Sequence, residues 1–538
     1  MKTKYLATLG IAGILGLTGC VGDLDVQPLD KNVITADGAY SDPASYEKAL
    51  MKIYSIWAIH SQEGKNGTCD ISGIDGGNSQ ILRSWFNLQT VSTDEAKCVW
   101  PNTWCEAING LKWADEKNEA EEGVYQFGMY IVSLVNEFMK NVGNAPEEVR
   151  AQYAAEARFN RALAYYILMD AFGYPPFITE ANYSNAPTQI ERAQLFDFIE
   201  SELNTIRPDL PQARQGTYGR ADQGAVDALL ARMYLNAETY TGTPRYNDCI
   251  EACKRIFNAG YALASNYADL FKADNGQNPD TQKEIIFPIC FDGTKTQTWG
   301  GCSYIILASR AVEFDDPTAG FTVSGWGGLI ATKNLLLQFD YADPENPTSD
   351  NILDKRGIFD SKGRPSMEIT NITGVFTEQG WAVYKFCNTT STGEMGPNSI
   401  NGEDVDTDFP FFRLADVYLM YAEAVARGGQ GGDMNTAVEY VNQLRRRGYG
   451  DDSHDISAAW LTENDFRNLL DERSRELYWE AIRRTDLIRF GLFTSNSYVW
   501  PYKGGTYQGI GVDDKYNLYA IPTSDLTVNP NLKQNEGF

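Results

Sequence analysis

Residues 147–172 read EEVRAQYAAEARFNRALAYYILMDAF, and Gly173 and Pro175 follow directly. Phe159, Leu163, Tyr166 and Ile167 recur at steps of three and four, the spacing of one face of an α-helix. Glycine caps a helix and proline cannot continue one, so the pattern predicts a single helix over residues 147–172. The same reading extends outward. Residues 225–237 and 248–259 repeat the pattern. Residues 413–427 and 435–447 form a pair joined by the Gly-rich turn Gly428 to Gly432. Residues 462–490 make a last helical stretch with room for one break. Small residues such as Ala422 and Ala424 let paired helices approach closely. The chain is expected to be mainly α, a tetratricopeptide-like scaffold of stacked helical pairs.

Long stretches between these blocks lack a regular pattern. They run from His60 to Trp113, from Ala273 to about Thr407, and from Ser495 to Phe538. Loops of that length in a folded chain usually carry function. The expected organisation is one unit over 20–538. Its scaffold covers about 40–60, 120–272 and 409–494. Its irregular, aromatic loop regions, about 61–113 and 273–408, pack on one side, and a C-terminal loop region covers 495–538.

Composition excludes several classes. Of 538 residues, 43% are hydrophobic and 22% charged, enough for a large core and against wholesale disorder. The formal net charge of -26 repels nucleic acid and anionic membrane surfaces. With 2 His in the chain, His-based metal sites and His-dependent triads are not expected. The 11 Trp, 30 Tyr and 25 Phe exceed what a core needs and leave a surplus for stacking surfaces.

The N-terminus carries an export signature. Lys2 and Lys4 precede an apolar run from Tyr5 to Gly16, too short for a mature membrane span. The run leads into Leu17-Thr18-Gly19-Cys20, the pattern of a lipoprotein signal. Residues 1–19 would be removed, and Cys20 would carry the lipid that anchors the chain to a membrane. Eight cysteines remain of the 9. Cys98 with Cys105, and Cys290 with Cys302, are close enough in sequence for disulfides. A bridge between Cys249 and Cys253, four apart on an expected helix, would be strained, and several of the eight are expected to be buried thiols. Without a C-x-x-C pair, a zinc or redox site is not expected.

The chain resembles the SusD/RagB family of outer-membrane glycan-binding lipoproteins, on motifs spread along its length. After the lipobox come Ala155-Glu156-Ala157-Arg158-Phe159, Arg161-Ala162-Leu163, Phe172-Gly173 and Pro176. Next are Gly219-Arg220-Ala221-Asp222 and Ala231-Arg232-Met233-Tyr234-Leu235. Phe412-Arg413-Leu414-Ala415-Asp416 leads to Ala422-Glu423-Ala424. Glu472-Arg473-Ser474-Arg475-Glu476-Leu477 is followed by Arg483-Arg484 and by Asp486 to Gly491. Ile521-Pro522, Asn531 and Gln534 to Phe538 close the set. The resemblance implies a tetratricopeptide-like scaffold, no catalytic activity and no cofactor. It also implies a glycan ligand and a partner, a SusC-type TonB-dependent transporter. The location it implies is the outer membrane, lipid-anchored and facing the cell exterior. Arg473, Glu476, Arg483 and Asp486 lie at helical spacing and read as ion pairs within and between helices.

A sugar presents C–H faces to aromatic rings and hydroxyls to carboxylates, amides and Arg. Two loops offer that mixture. The first holds Asp75, Arg83, Trp85, Trp100 and Asn102. The second holds Asp292, Lys295, Trp299, Tyr304 and Trp326, with Gly300, Gly301, Gly325 and Gly327 leaving room for a ligand. Within the family the loops are most similar to those of its starch-binding member. That similarity places Asp75 and Arg83 at polar sugar contacts, and Trp100, Trp299 and Trp326 at aromatic ones. Cys98 stands where that member has a further Trp, which puts helical amylose in doubt. Asn102 or Thr103 stands in for an amide contact, and Trp85 is a candidate extension of the platform. Trp104, Trp113, Trp381, Trp460 and Trp479 read as scaffold. The acidic run Asp404, Asp406 and Asp408 reads as a solvated acidic turn without EF-hand spacing, and the alternative is a structural calcium ion at Asp274, Asp406 and Asp408.

The function so implied is binding of an oligo- or polysaccharide, a starch-like α-glucan or another glucan, and its delivery to the transporter. The rivals are a surface protein of this fold that binds a peptide or protein, and a glycoside hydrolase. No carboxylate pair is singled out by a motif, which weighs against the hydrolase.

Overall fold

The computed structural model describes residues 40, 42–113, 118–310, 325–364, 366–372, 379–399 and 402–538. The expected lipidation site Cys20 lies outside them. By contact the chain divides into residues 1–49 and 50–538. Helix α1 (Pro43–Ser55) runs through that boundary, and every later element lies within residues 50–538.

The first expected loop region is partly regular. It holds α2 (Ile81–Phe86), a π-helical turn over Asn87–Val91, β1 (Ala96–Cys98) and α3 (Thr103–Gly110). The scaffold then runs through α4 (Glu119–Asn141), α5 (Glu147–Phe172), α6 (Arg192–Ile206), α7 (Gln223–Leu235), α8 (Ala237–Thr241) and α9 (Tyr246–Asn258). The second loop region also contains short elements. These are β2 (Ile285–Ile289), α10 (Gly301–Leu307), β3 (Leu329–Ala331), α11 (Lys333–Leu336), β4 (Phe359–Asp360) and β5 (Ala382–Val383). Then β6 (Phe409–Arg413) leads into α12 (Leu414–Ala426), α13 (Met434–Tyr449), α14 (Arg467–Leu477) and α15 (Arg483–Arg489), and α16 (Thr523–Val528) lies near the end. The fold is mainly α, as expected. Successive helices pack as pairs: α4 on α5, α5 on α6, α7 on α9, α12 on α13, with α9 on α12 joining the halves. The strands form three two-stranded antiparallel sheets, β1–β3, β2–β6 and β4–β5.

Helix α5 has the bounds its sequence predicts. Glu147 and Glu148 sit in its first turn, where the helix dipole favours negative charge. Gly173 ends it with φ +75°, a conformation glycine adopts freely. The helix differs from an amphipathic surface helix: from Phe159 to Phe172 every residue is buried. Its polar side chains are therefore paired. Glu156 takes a bidentate contact from Arg220 at 2.8 Å on each oxygen. Asn160 accepts from the Trp57 indole at 2.8 Å. Asp170 accepts from Gln89 (2.9 Å), Tyr240 (2.7 Å) and Arg484 (3.2 Å).

The predicted 462–490 stretch is broken between α14 and α15. Trp479 and Ala481 take left-handed backbone at φ 65° and 56°, which costs an L-residue energy and persists only under outside constraint. That constraint is visible: the Trp479 indole donates to Ser309 Oγ at 3.0 Å, and the Trp479 backbone N–H points at Glu95.

The motif residues pair between elements, as Arg473 of α14 does with Asp486 of α15 at 2.8 Å, and the network reaches well beyond the helices. Arg413 reaches Glu480 with Nε and Nη2 at 2.7 Å each, Glu284 at 2.9 Å and Glu476 at 2.6 Å. Arg447 binds Glu284 at 2.5 Å and Glu476 at 2.6 Å. Arg356 binds Asp354, Glu472 (2.7 Å) and Glu476 (3.0 Å). Lys385 adds a contact to Glu480 at 2.6 Å. These side chains are nearly all shielded from solvent. Burial opposes charge on Glu476, yet Arg447, Arg413 and Arg356 hold its pKa down to about 2. A second chain of pairs runs from Arg232 through Asp416, Arg473, Asp486 and Arg489 to Glu423. Arg483 binds Asp94 bidentately at 2.8 and 2.7 Å, fastening the first loop region to α15.

Removing one member of such a network leaves the others buried and unpaired. Arg413→Met is expected to lower unfolding free energy by about 3–5 kcal/mol in chemical denaturation. Lys140→Met, at an exposed pair with Glu137, should cost under ~0.5 kcal/mol. Equal costs for the two would contradict this account.

Candidate functional site

Three tryptophans from two distant loops meet on one surface. The pairing of β1 with β3 brings two of them together. Its register sets Cys98 opposite Leu329, so the chain leaving β1 runs past the chain entering β3. Val99 N–H donates to Gly328 O at 2.8 Å. The next residue, Trp100, donates its indole N–H to Trp326 O at 3.1 Å. A Cβ on Gly328 would lie 2.4 Å from the Trp100 ring. Hydrogen at that position therefore lets the ring lie flat against the β3 entry. Both rings are half-buried, each with a part open to solvent.

Trp299 arrives by a separate route. Gln80 caps α2 by accepting from Arg83 N–H at 2.9 Å, and its Oε1 also accepts from Gly301 N–H at 2.9 Å. Gly301 takes φ +54° with the Phe291 ring 2.4 Å from where a Cβ would stand, so the turn after Trp299 admits no side chain there. The Trp299 ring centroid lies 5.9 Å from that of Trp326, the planes inclined by 53°. Its indole N–H donates to Asn66 Oδ1 at 3.0 Å, and the Lys65 ammonium stands 4.4 Å from its ring centroid. Trp100, Trp326 and Trp299 thus form a tilted, half-exposed shelf. Beside Trp100 opens a cavity of about 370 Å³ that also touches Asn102, Glu106, Lys112 and Tyr502.

The other expected site residues divide. Asp75 and Asn102 are exposed at the edges of the first loop region. Asp75 Oδ1 accepts from Asn78 N–H at 2.8 Å, a turn contact. Arg83, expected at the ligand, is 5% exposed. It donates to Gly77 O (3.2 Å), Trp299 O (3.0 Å) and Asn78 Oδ1 (2.6 Å), with its guanidinium 4.2 Å from the centroid of the Tyr304 ring. Burial lowers its pKa. Its contacts place it beneath the shelf, holding Trp299 rather than reaching outward. Trp85 does not extend the shelf. It is 3% exposed, because α2 is buried on every side. Tyr304 is likewise fully buried and donates to Asn87 Oδ1 at 2.7 Å. Trp104, Trp113, Trp381 and Trp479 are core, as expected.

The acidic residues considered for calcium do not converge. Asp408 accepts from Phe291 N–H at 2.7 Å and Tyr218 OH at 3.0 Å. Asp406 accepts from Gly293 N–H at 2.9 Å and Asn398 N–H at 2.8 Å. Asp274 is held by Ser391 at 2.8 and 2.5 Å. Each carboxylate braces a backbone turn. Among the described residues no group of three His, Cys, Asp or Glu is placed to hold a metal ion. The eight described cysteines are free thiols, so neither candidate disulfide is formed in this structure.

Family comparisons agree with this architecture. The family described as "SusD family" matches residues 361–538, and the one described as "Starch-binding associating with outer membrane" matches residues 78–235. The chain is 34% identical to the starch-binding protein SusD of Bacteroides thetaiotaomicron, over 100% of both chains. It belongs to the SusD family. A further relative, SusD-like protein P2 of Formosa agariphila, is 24% identical over 99% of each chain. Surface glycan-binding protein A from Bacteroides thetaiotaomicron, solved in complex with laminarihexaose, shares the fold. Its TM-score is 0.67 at 17% identity, over 91% of this chain and 99% of that one. A SusD superfamily protein from Bacteroides vulgatus gives 0.67 at 19% identity, over 92% and 99%.

In this SusD-family chain, sequence reasoning missed Lys65 and Asn66, which flank Trp299. Neither belongs to a motif, and only their place in the first long loop pointed to them. The packing of Trp100 on Gly328 is testable by a double-mutant cycle. Gly328→Ala should cost about 1–3 kcal/mol in the native background, by forcing the ring aside. It should cost far less in the Trp100→Ala background, where no ring opposes the methyl group. Equal costs in both would contradict the contact.

Proposed function

We propose that this SusD-family chain is a non-catalytic glycan-binding lipoprotein of the outer membrane. Its ligand is a glucan, held with the C–H faces of its sugar rings on Trp100, Trp299 and Trp326. The observation that carries this reading is the shelf. Three half-exposed indoles from separate loops are fixed at defined tilts, a surface that covers sugar faces and excludes water. Exposed Asp75 and Asn102 at its edge supply an acceptor and an amide for ring hydroxyls. An open shelf with preset rings binds without a large ordering cost and suits reversible capture and handover. The name of the SusD relative supports a starch-like α-glucan, and the laminarihexaose-bound fold relative supports a β-linked one. The tilt between Trp299 and Trp326 suits a curved or twisted chain. Anchored through lipid at Cys20 and facing the exterior, the chain would deliver its glycan to a SusC-type TonB-dependent transporter.

Calorimetry of the chain without residues 1–20 tests this against maltoheptaose, laminarihexaose, cellohexaose, and xylan and mannan oligosaccharides. One glucan series should bind, and Trp299→Ala should weaken it by about tenfold or more, the loss expected when a large apolar contact is removed. Undiminished binding by Trp299→Ala, or no binding by the folded chain, would overturn the reading.

A further inference from the structure

Beneath the shelf two cysteines stand in contact. Cys98 ends β1 and Cys105 lies in the first turns of α3. Both are about 1% exposed, and their sulfurs are 2.8 Å apart. The backbone around them is already locked. Asn109 Oδ1 accepts from Cys98 N–H at 3.0 Å, and Asn109 Nδ2 donates to Cys98 O at 2.6 Å. This two-way contact docks α3 onto the end of β1. A disulfide bond spans about 2.0 Å between sulfurs, so bonding requires the sulfurs to close by less than an ångström. Burial and the neighbouring Cys98 sulfur push the Cys105 thiol pKa up, so the reduced sulfur is held as the neutral thiol against Cys98.

We propose that Cys98 and Cys105 are joined by a disulfide in the exported protein, and that this bond clamps the segment carrying Trp100. Each thiol gives up its proton and the pair gives up two electrons as the S–S bond forms. The electrons pass to a protein disulfide of the cell envelope, which leaves as a dithiol. Such oxidants belong to the oxidising compartments through which an exported chain passes, so the proposal rests on the lipoprotein reading for its oxidant. The mechanical consequence follows from position. Residues 99–102 are fixed at one end by the β1–β3 pairing. The bond would fix the other end at α3. Trp100 stands between the two anchors, so the clamp sets the height and tilt of one ring of the shelf.

The full chain, exported to the envelope of its host, is denatured with iodoacetamide and no reductant, then cleaved with trypsin after Lys97 and Lys112. The peptide 98–112 contains both cysteines. It should emerge unalkylated and lighter than the dithiol form by a pair of hydrogens, and should take up two carbamidomethyl groups after reduction. Two carbamidomethyl groups without reductant would overturn the bond. Hydrogen exchange on the purified full chain then tests the clamp. The amides of residues 99–104 should exchange about tenfold faster after reduction, as local opening becomes easier. An intact bond with unchanged exchange would overturn the clamp alone. Neither readout depends on glycan binding, so the disulfide can fail while the glycan reading stands, and the reverse.

Discussion

The structure depends on charges that have been taken out of water. Arg413, Arg447 and Arg356 stand in the interior, and each is matched by carboxylates from several segments, with Glu476 shared by all three. A buried guanidinium is tolerable only where oxygens meet its donors at hydrogen-bond distance. That requirement allows very few arrangements of the chain. Glu284 must come to the foot of β2, Arg413 to the end of β6, and Glu476 to the last turn of α14. Asp354, Arg356 and Lys385 must descend from the loop region to meet them. The network therefore chooses among packings more than it adds net stability, which for buried ion pairs is often small.

This choice fixes the shelf. The second loop region would otherwise be a long excursion held only by short strand pairs. Bound at Arg356 and Lys385 to the C-terminal helices, it presents β3 at a set height. The first loop region is bound separately, by Asp94 on Arg483. When both are in place, β1 and β3 can pair, and Trp100 meets Trp326. Gln80 and Arg83 then bring in Trp299 from the start of α10. A surface made of loops is thereby as well determined as the helices beneath it, because each loop is held by buried contacts.

Much of this was legible in the sequence, and the boundary of legibility is physical. Helix α5 could be read to its ends because its apolar repeat and its Gly173 stop are local signals. The meeting of Trp100, Trp299 and Trp326 was legible through family resemblance and not through spacing, since β1 and β3 are too short to show a strand period. Trp85 had no counterpart in the resemblance that placed Trp100, and the burial of α2 on all sides, which no local pattern announces, removes it from the shelf. The break at Trp479 was hidden because its left-handed backbone is maintained by Ser309 and Glu95, far away in the chain. Glu476 and Arg473 read as members of ion pairs within and between helices, but the sequence did not show which residues they meet. Their real partners, such as Arg356 for Glu476 and Asp416 for Arg473, are distant residues that no window of sequence contains.

The most direct test of the account is a crystal structure of the chain soaked with the glucan oligosaccharide it binds. The account predicts sugar rings lying on the faces of Trp100, Trp299 and Trp326, with hydroxyls within hydrogen-bond reach of Asp75 and Asn102, and Arg83 still turned inward to the Trp299 carbonyl. A glycan bound elsewhere, with the three indoles bare, would contradict it.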